Sequence, residues 1–136
     1  MNSTALEVTG TVDREEDRQN EIHARGRKAA ARFLERRGYE VLDRDWKCRA
    51  GIIDLVCMDG ETLVFIQVKV RADATKGFPS DDMILRKHDR FERIATSYLQ
   101  AFHLSDMAVR FDVISLLILG PERAFLRHHI NALGCM

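Results

Sequence analysis

The chain is short of proline, of cysteine and of net charge. Only two prolines occur among 136 residues, of which 46% are hydrophobic. That balance excludes a proline-rich disordered polypeptide and leaves enough apolar material for one ordinary domain with a real core. Cys48, Cys57 and Cys135 are odd in number and form no CxxC pair. This argues against a disulfide framework and against a tetrahedral zinc site, so reduced thiols are expected. The opening stretch MNSTALEVTGTVDREED has no basic start and no apolar segment. No apolar run anywhere reaches the roughly 20 residues that span a bilayer, and a cytoplasmic location is expected. Lys and Arg number 21 against 21 Asp and Glu. Any attraction for nucleic acid must therefore come from the way charge is distributed.

The distribution is uneven. Residues 1–22 carry two basic and six acidic side chains, whereas residues 23–49 carry nine basic and four acidic. The first 18 residues are polar, acidic and without periodicity, and read as a disordered acidic tail ahead of a single domain at 19–136. From about Gln19 to Arg37, Ile22, Ala29, Ala30, Phe33 and Leu34 recur at helical spacing, and Gly38 follows as a terminator.

Strand patterns come next. Tyr39 to Cys48 reads as one strand and Ile52 to Met58 as a second. Asp59-Gly60 supplies a tight hairpin turn into a third strand, Thr62 to Arg71. In that third strand Gln67 and Lys69 alternate with Ile66, Val68 and Val70. After the loop ADATKGFPSDD, a second amphipathic helix is expected from about Asp82 to Phe102, with Ser80 or Asp81 as cap. VRFDVISLLIL, at 109–119, suits a strand buried on both faces, and a short last strand lies near Ala124 to Ile130. The expected fold is α/β in the order α-β-β-β-α-β-β, a mixed sheet flanked by helices.

One constellation has chemical content. Phosphodiester cleavage by magnesium needs oxygen ligands for the ion and a lysine to orient water or offset charge. Asp54 on the second strand with Gln67-x-Lys69 on the third offers such a set, Asp54 and Gln67 being the candidate metal ligands. Alone, the alternation is also what any half-solvated strand shows.

The run GRKAAARFLERRGYEVLDRDWKCRAGIIDLVCMDGETLVFIQVKVR resembles the YraN-like proteins, small bacterial members of the PD-(D/E)XK, restriction-endonuclease-like nuclease superfamily. Downstream, GFPSDDMILRKHDRFERIATSYL, RFDVISL and HHINAL continue the resemblance in order and spacing. It implies a restriction-endonuclease-like fold, with catalytic positions at Asp54, Gln67 and Lys69.

This chain departs from the family's pattern at three carboxylates. Arg27 stands where the family has a glutamate in the first helix, Ile52 replaces the glutamate two residues before Asp54, and Gln67 replaces the acidic member of the Glu-x-Lys pair. Gln-x-Lys occurs in Mrr-type restriction enzymes of the same superfamily. Ile52 offers no ligand, and Arg27 brings positive charge that competes with magnesium or grips a phosphate. Magnesium binding is therefore expected to be weak or absent.

Basic residues along the first helix, Arg27, Arg32 and Arg36 among them, together with Arg71, are candidate contacts to nucleic acid, the expected partner. Trp46 is assigned to the core rather than to base stacking, and Asp112, in a strongly apolar strand, needs a partner such as Lys69, Arg71 or a backbone donor. His128 and His129 lack ligand spacing. Three functions follow in order of preference: a degenerate nuclease-like protein that binds nucleic acid, a weak magnesium-dependent endonuclease, and a protein-interaction domain.

Overall fold

The structure, a computed structural model, describes the backbone of residues 3–72, 88–104 and 106–133, and the side chains of 15–72, 89–104 and 106–133. Along the described chain run α1 (Ser3–Arg36), β1 (Glu40–Cys48), β2 (Gly51–Asp59), β3 (Thr62–Arg71), α2 (His88–Ala101), β4 (Ala108–Ile118) and β5 (Ala124–His129). This is the α-β-β-β-α-β-β order read from the sequence. The strands form one sheet in the order β1-β2-β3-β4-β5. β3 and β4 run parallel and the other neighbours antiparallel. A parallel pair needs a crossover, and α2 lies on it.

α1 begins at Ser3 rather than near Gln19, so the backbone of most of the expected acidic tail is helical. From Glu15 to Asn20 the side chains are exposed. There is no apolar stripe there for periodicity to register, yet adding turns to an existing helix costs little once its packed part has formed. Glu15 and Arg18, and Glu21 and Arg25, also stand at the spacing that favours helix. At the other end Gly38 adopts φ 89°. The Tyr39 N–H donates to the Leu34 carbonyl at 2.9 Å and the Gly38 N–H to that of Glu35 at 3.0 Å, the two bonds of a Schellman stop. The second helix's expected start near Asp82, with Ser80 or Asp81 as cap, lies outside the described residues.

Each helix covers one sheet face. Ala30, Ala31 and Leu34 of α1 pack on Leu55, Val64, Ile66 and Val68. Phe91, Ile94 and Tyr98 of α2 pack on Ile53, Val56, Phe65 and Phe111. The Leu, Ile, Val and Phe side chains among these each contribute about 1.5–3 kcal/mol when fully buried. Trp46 joins the α2 layer, its ring edge-on to Tyr98 at 5.1 Å, so core packing is its use. No helix among the described residues is long and apolar enough to cross a membrane.

Candidate functional site

Strand alternation slips at Asp54, and the slip positions its carboxylate. Ile53 belongs to the α2 layer and Leu55 to the α1 layer, although residues two apart in a regular strand share a face. Opposite, Asp45 takes φ 53°, between the pairs Arg44↔Leu55 and Trp46↔Ile53. On the other side, the β2–β3 register runs from Asp59↔Thr62 to Leu55↔Ile66. Beyond that point the Val68 N–H donates to Asp54 Oδ2 at 2.7 Å, so a side chain takes the place of a ladder bond. Asp54 is thus buried in a seam between two parting strands.

α1 supplies the groups facing that seam. His23 Nε2 lies 3.4 Å from Asp54 Oδ1 and 3.1 Å from the Val68 carbonyl oxygen. One helical turn on, Arg27 Nη1 is 3.1 Å from Asp45 Oδ1. Between them sits Gly26, where a Cβ would collide with the Val70 side chain. Lacking one, the helix settles close enough to β3 for His23 to reach Val68. Burial pushes the Asp54 carboxyl above its ordinary range; the Val68 N–H, His23 and Arg27 pull it down, while Asp45 adds to the rise.

Gln67 and Lys69 alternate with Ile66, Val68 and Val70, which pack against the α1 layer, so their side chains leave β3 on the α2 face with Phe65. The contacts of Asp54 described above run instead to α1 and to the β3 backbone. Gln67 Oε1 is buried without a hydrogen-bond partner among the described residues. Ile52 is 49% exposed and lies opposite Lys47. Arg32 and Arg36 are exposed on α1, whereas Arg71, at the end of β3, is half-buried.

A second polar cluster crosses the α1 face. Asp112 is 1% exposed, and its carboxylate accepts from Arg110 Nε at 2.9 Å, Arg110 Nη2 at 3.0 Å and the Asn131 N–H at 2.9 Å. His128 Nε2 lies 2.8 Å from its Oδ2. Arg110 also donates to Asp59 at 2.9 Å and to the Tyr39 hydroxyl at 2.7 Å. Burial would raise the Asp112 carboxyl, but His128, Arg110 and the Asn131 N–H outweigh it and hold the group below its ordinary value. The partners are thus Arg110, His128 and one backbone donor, in place of Lys69 or Arg71. Arg110, two residues away on the same strand face, was the legible signal. His128 arrives only through the β4–β5 pairing.

Sequence reasoning missed His23 and Asp45. His23 and Arg27 stand four residues apart, hence on one helix flank, and that spacing was the available sign. Asp45 gave none, because its conformation arises from the strand slip. Chemically the seam is a carboxylate held by one N–H and faced by an imidazole, with a guanidinium close by. Among the described residues no three of His, Cys, Asp and Glu gather as a metal-binding group.

Residues 26–116 match the model of the uncharacterised protein family UPF0102. A UPF0102 protein of Geobacter sulfurreducens is 39% identical over 111 residues, covering 82% of this chain and 87% of the relative. One from Frankia casuarinae is 43% identical over 107 residues, covering 78% and 89%. Another, from Myxococcus xanthus, is 42% identical over 103 residues, covering 76% and 81%.

Proposed function

The chain belongs to the UPF0102 family, and we propose that it is a nucleic-acid-binding protein of the restriction-endonuclease-like fold, within the PD-(D/E)XK superfamily, whose metal site is impaired. The compartment proposed is the cytoplasm, and the proposed domain is 19–136.

The observation that carries the impaired-site reading is the Arg27–Asp45 pair beside Asp54. A divalent ion at Asp54 needs negative charge and free oxygen lone pairs. Here one carboxylate oxygen accepts a backbone N–H, the other faces His23, and the nearby cation is the protein's own. Gln67 offers a buried carbonyl oxygen, but from the other sheet face. These groups do not fit a resident magnesium ion, and no catalytic step is assigned to one.

What supports nucleic-acid binding is the charge on α1. Lys28, Arg32 and Arg36 carry no ion pair among the described residues. Unneutralised cations on an exposed helix face displace counterions from phosphates. Fluorescence anisotropy with labelled DNA and RNA oligonucleotides tests this at low salt. Binding that weakens steeply with salt, and that is weakened by joint charge reversal at Arg32 and Arg36, is expected. Absence of binding by the unmodified protein overturns the proposal and leaves the protein-interaction reading.

A further inference from the structure

α1 has two flanks, and they differ in what they face. His23 and Arg27 look toward β1 and β2, where Asp54 and Asp45 lie. Arg25 looks the other way, donating to the carbonyl oxygens of Gly120 at 3.2 Å and Pro121 at 2.7 Å, in the turn between β4 and β5. Those acceptors are neutral, so the bonds fix the turn against the helix and leave the charge of Arg25 in place. The turn is closed by the Leu119 N–H donating to the Arg123 carbonyl at 2.9 Å. Between helix and turn runs a groove of about 320 Å³, with Arg25, Lys28, Arg32 and Arg123 on its walls and Glu122 as its carboxylate.

We propose that this groove is the track for the sugar-phosphate backbone of a bound nucleic acid, which then lies on the flank of α1 away from Asp54. The inference deepens the binding function proposed above and rests on it. Four cations against one carboxylate leave the groove positive, and it is lined by no aromatic or large aliphatic side chain. Grooves that take extended peptides or amphipathic helices rely on apolar pockets. Phosphates ask only for cations at a suitable interval, and guanidinium groups match their oxygens in pairs. Lys28 and Arg32 stand one turn apart, about 6 Å along the helix. An interval of that size lets the two side chains address neighbouring phosphates of one strand. Arg123 supplies the opposite wall from a turn that Arg25 holds still.

The test compares variants of the full chain by anisotropy with a labelled 20-base-pair duplex and the same single strand. Lys28→Glu with Arg123→Glu is expected to weaken binding about tenfold or more at low salt, and to flatten the slope of log K against log salt by about 0.9 for each phosphate that the variant no longer neutralises. Lys47→Glu, a charge reversal on β1 at the opposite edge of the sheet, is expected to leave both quantities unchanged. Circular dichroism of the double variant checks that it folds, and Lys28→Gln with Arg123→Gln, which removes charge without reversing it, is expected to weaken binding in the same sense. If the parent binds and the groove variants bind equally well, the groove is overturned and the function stands. If the parent binds nothing, both fall. Equal displacement of duplex by polyglutamate and by unlabelled duplex would reassign the groove to acidic protein segments and overturn the proposal.

Discussion

Gly26 and Val70 are in direct contact, with no space between them for even one methyl group. The closest approach of α1 to the sheet is therefore set by a missing side chain. His23 and Arg27 flank that point, so their reach to Val68 and Asp45 depends on it.

Gly26→Ala accordingly sets two effects against each other. Alanine in a helix interior gains about 1 kcal/mol over glycine. Forcing a methyl into a packed contact costs about 1–3 kcal/mol. Net destabilisation is expected in urea denaturation. In a Val70→Ala background the sign should reverse, because the colliding methyl groups are gone; a persistent loss there would mean that Val70 does not limit the approach.

Asp54 should weaken the fold at neutral pH. Its folded-state value is raised by burial above the unfolded one, so protons bind more tightly to the folded chain. The penalty is absent below the ordinary carboxylate range, grows as pH rises through the raised folded value, and persists above it. Asp54→Asn keeps an acceptor for the Val68 N–H and removes the charge. Its melting temperature is expected to exceed the parent's at pH 7 and to match it near pH 3; a lower value at pH 7 would show that the charge is stabilising.

Asp112 has the opposite sign. Its folded value is held below the unfolded one, so its contribution is complete above the ordinary carboxylate range and is lost as pH falls through the folded value. Asp112→Asn leaves Arg110 without its buried counter-charge and is expected to cost about 3 kcal/mol at pH 7. The gap to the parent should narrow in acid. Urea midpoints at both pH values read this directly, and a constant gap would show that the loss is one of packing.

Restoring carboxylates tests the impaired-site proposal. Arg27→Glu is expected to raise magnesium affinity in calorimetry, since a hard oxygen ligand replaces the cation near Asp54, whereas Gln67→Glu, on the other sheet face, is expected to add nothing. Robust magnesium-dependent cutting by the unmodified protein, lost in Asp54→Ala, would overturn the proposal.

The order of elements was written in the sequence because each carries its own period. Gly38 announced the end of α1, and Asp59-Gly60 the β2–β3 turn, since both depend on the conformation of one or two residues. The family was legible too, from about Ala24 to Leu133, because its landmarks follow one another in order and spacing, and the family model matches residues 26–116 of that span. What periodicity could not register was the start of α1 at Ser3, because the exposed side chains of Glu15 to Asn20 interrupt the apolar pattern that would mark the helix.

Around Asp54 the tertiary structure decided. Strict alternation was the only rule available along β2, and it fails at the point where Asp45 takes a left-handed conformation and β2 parts from β3. Whether a carboxylate lies on a face or in the seam depends on the twist of two neighbouring strands, a property of neither strand alone. The same holds for Arg27 beside Asp45, Arg25 against the β4–β5 turn, and His128 on Asp112. Residue types and intervals belong to the chain; the partners of buried charges are chosen when distant segments pack.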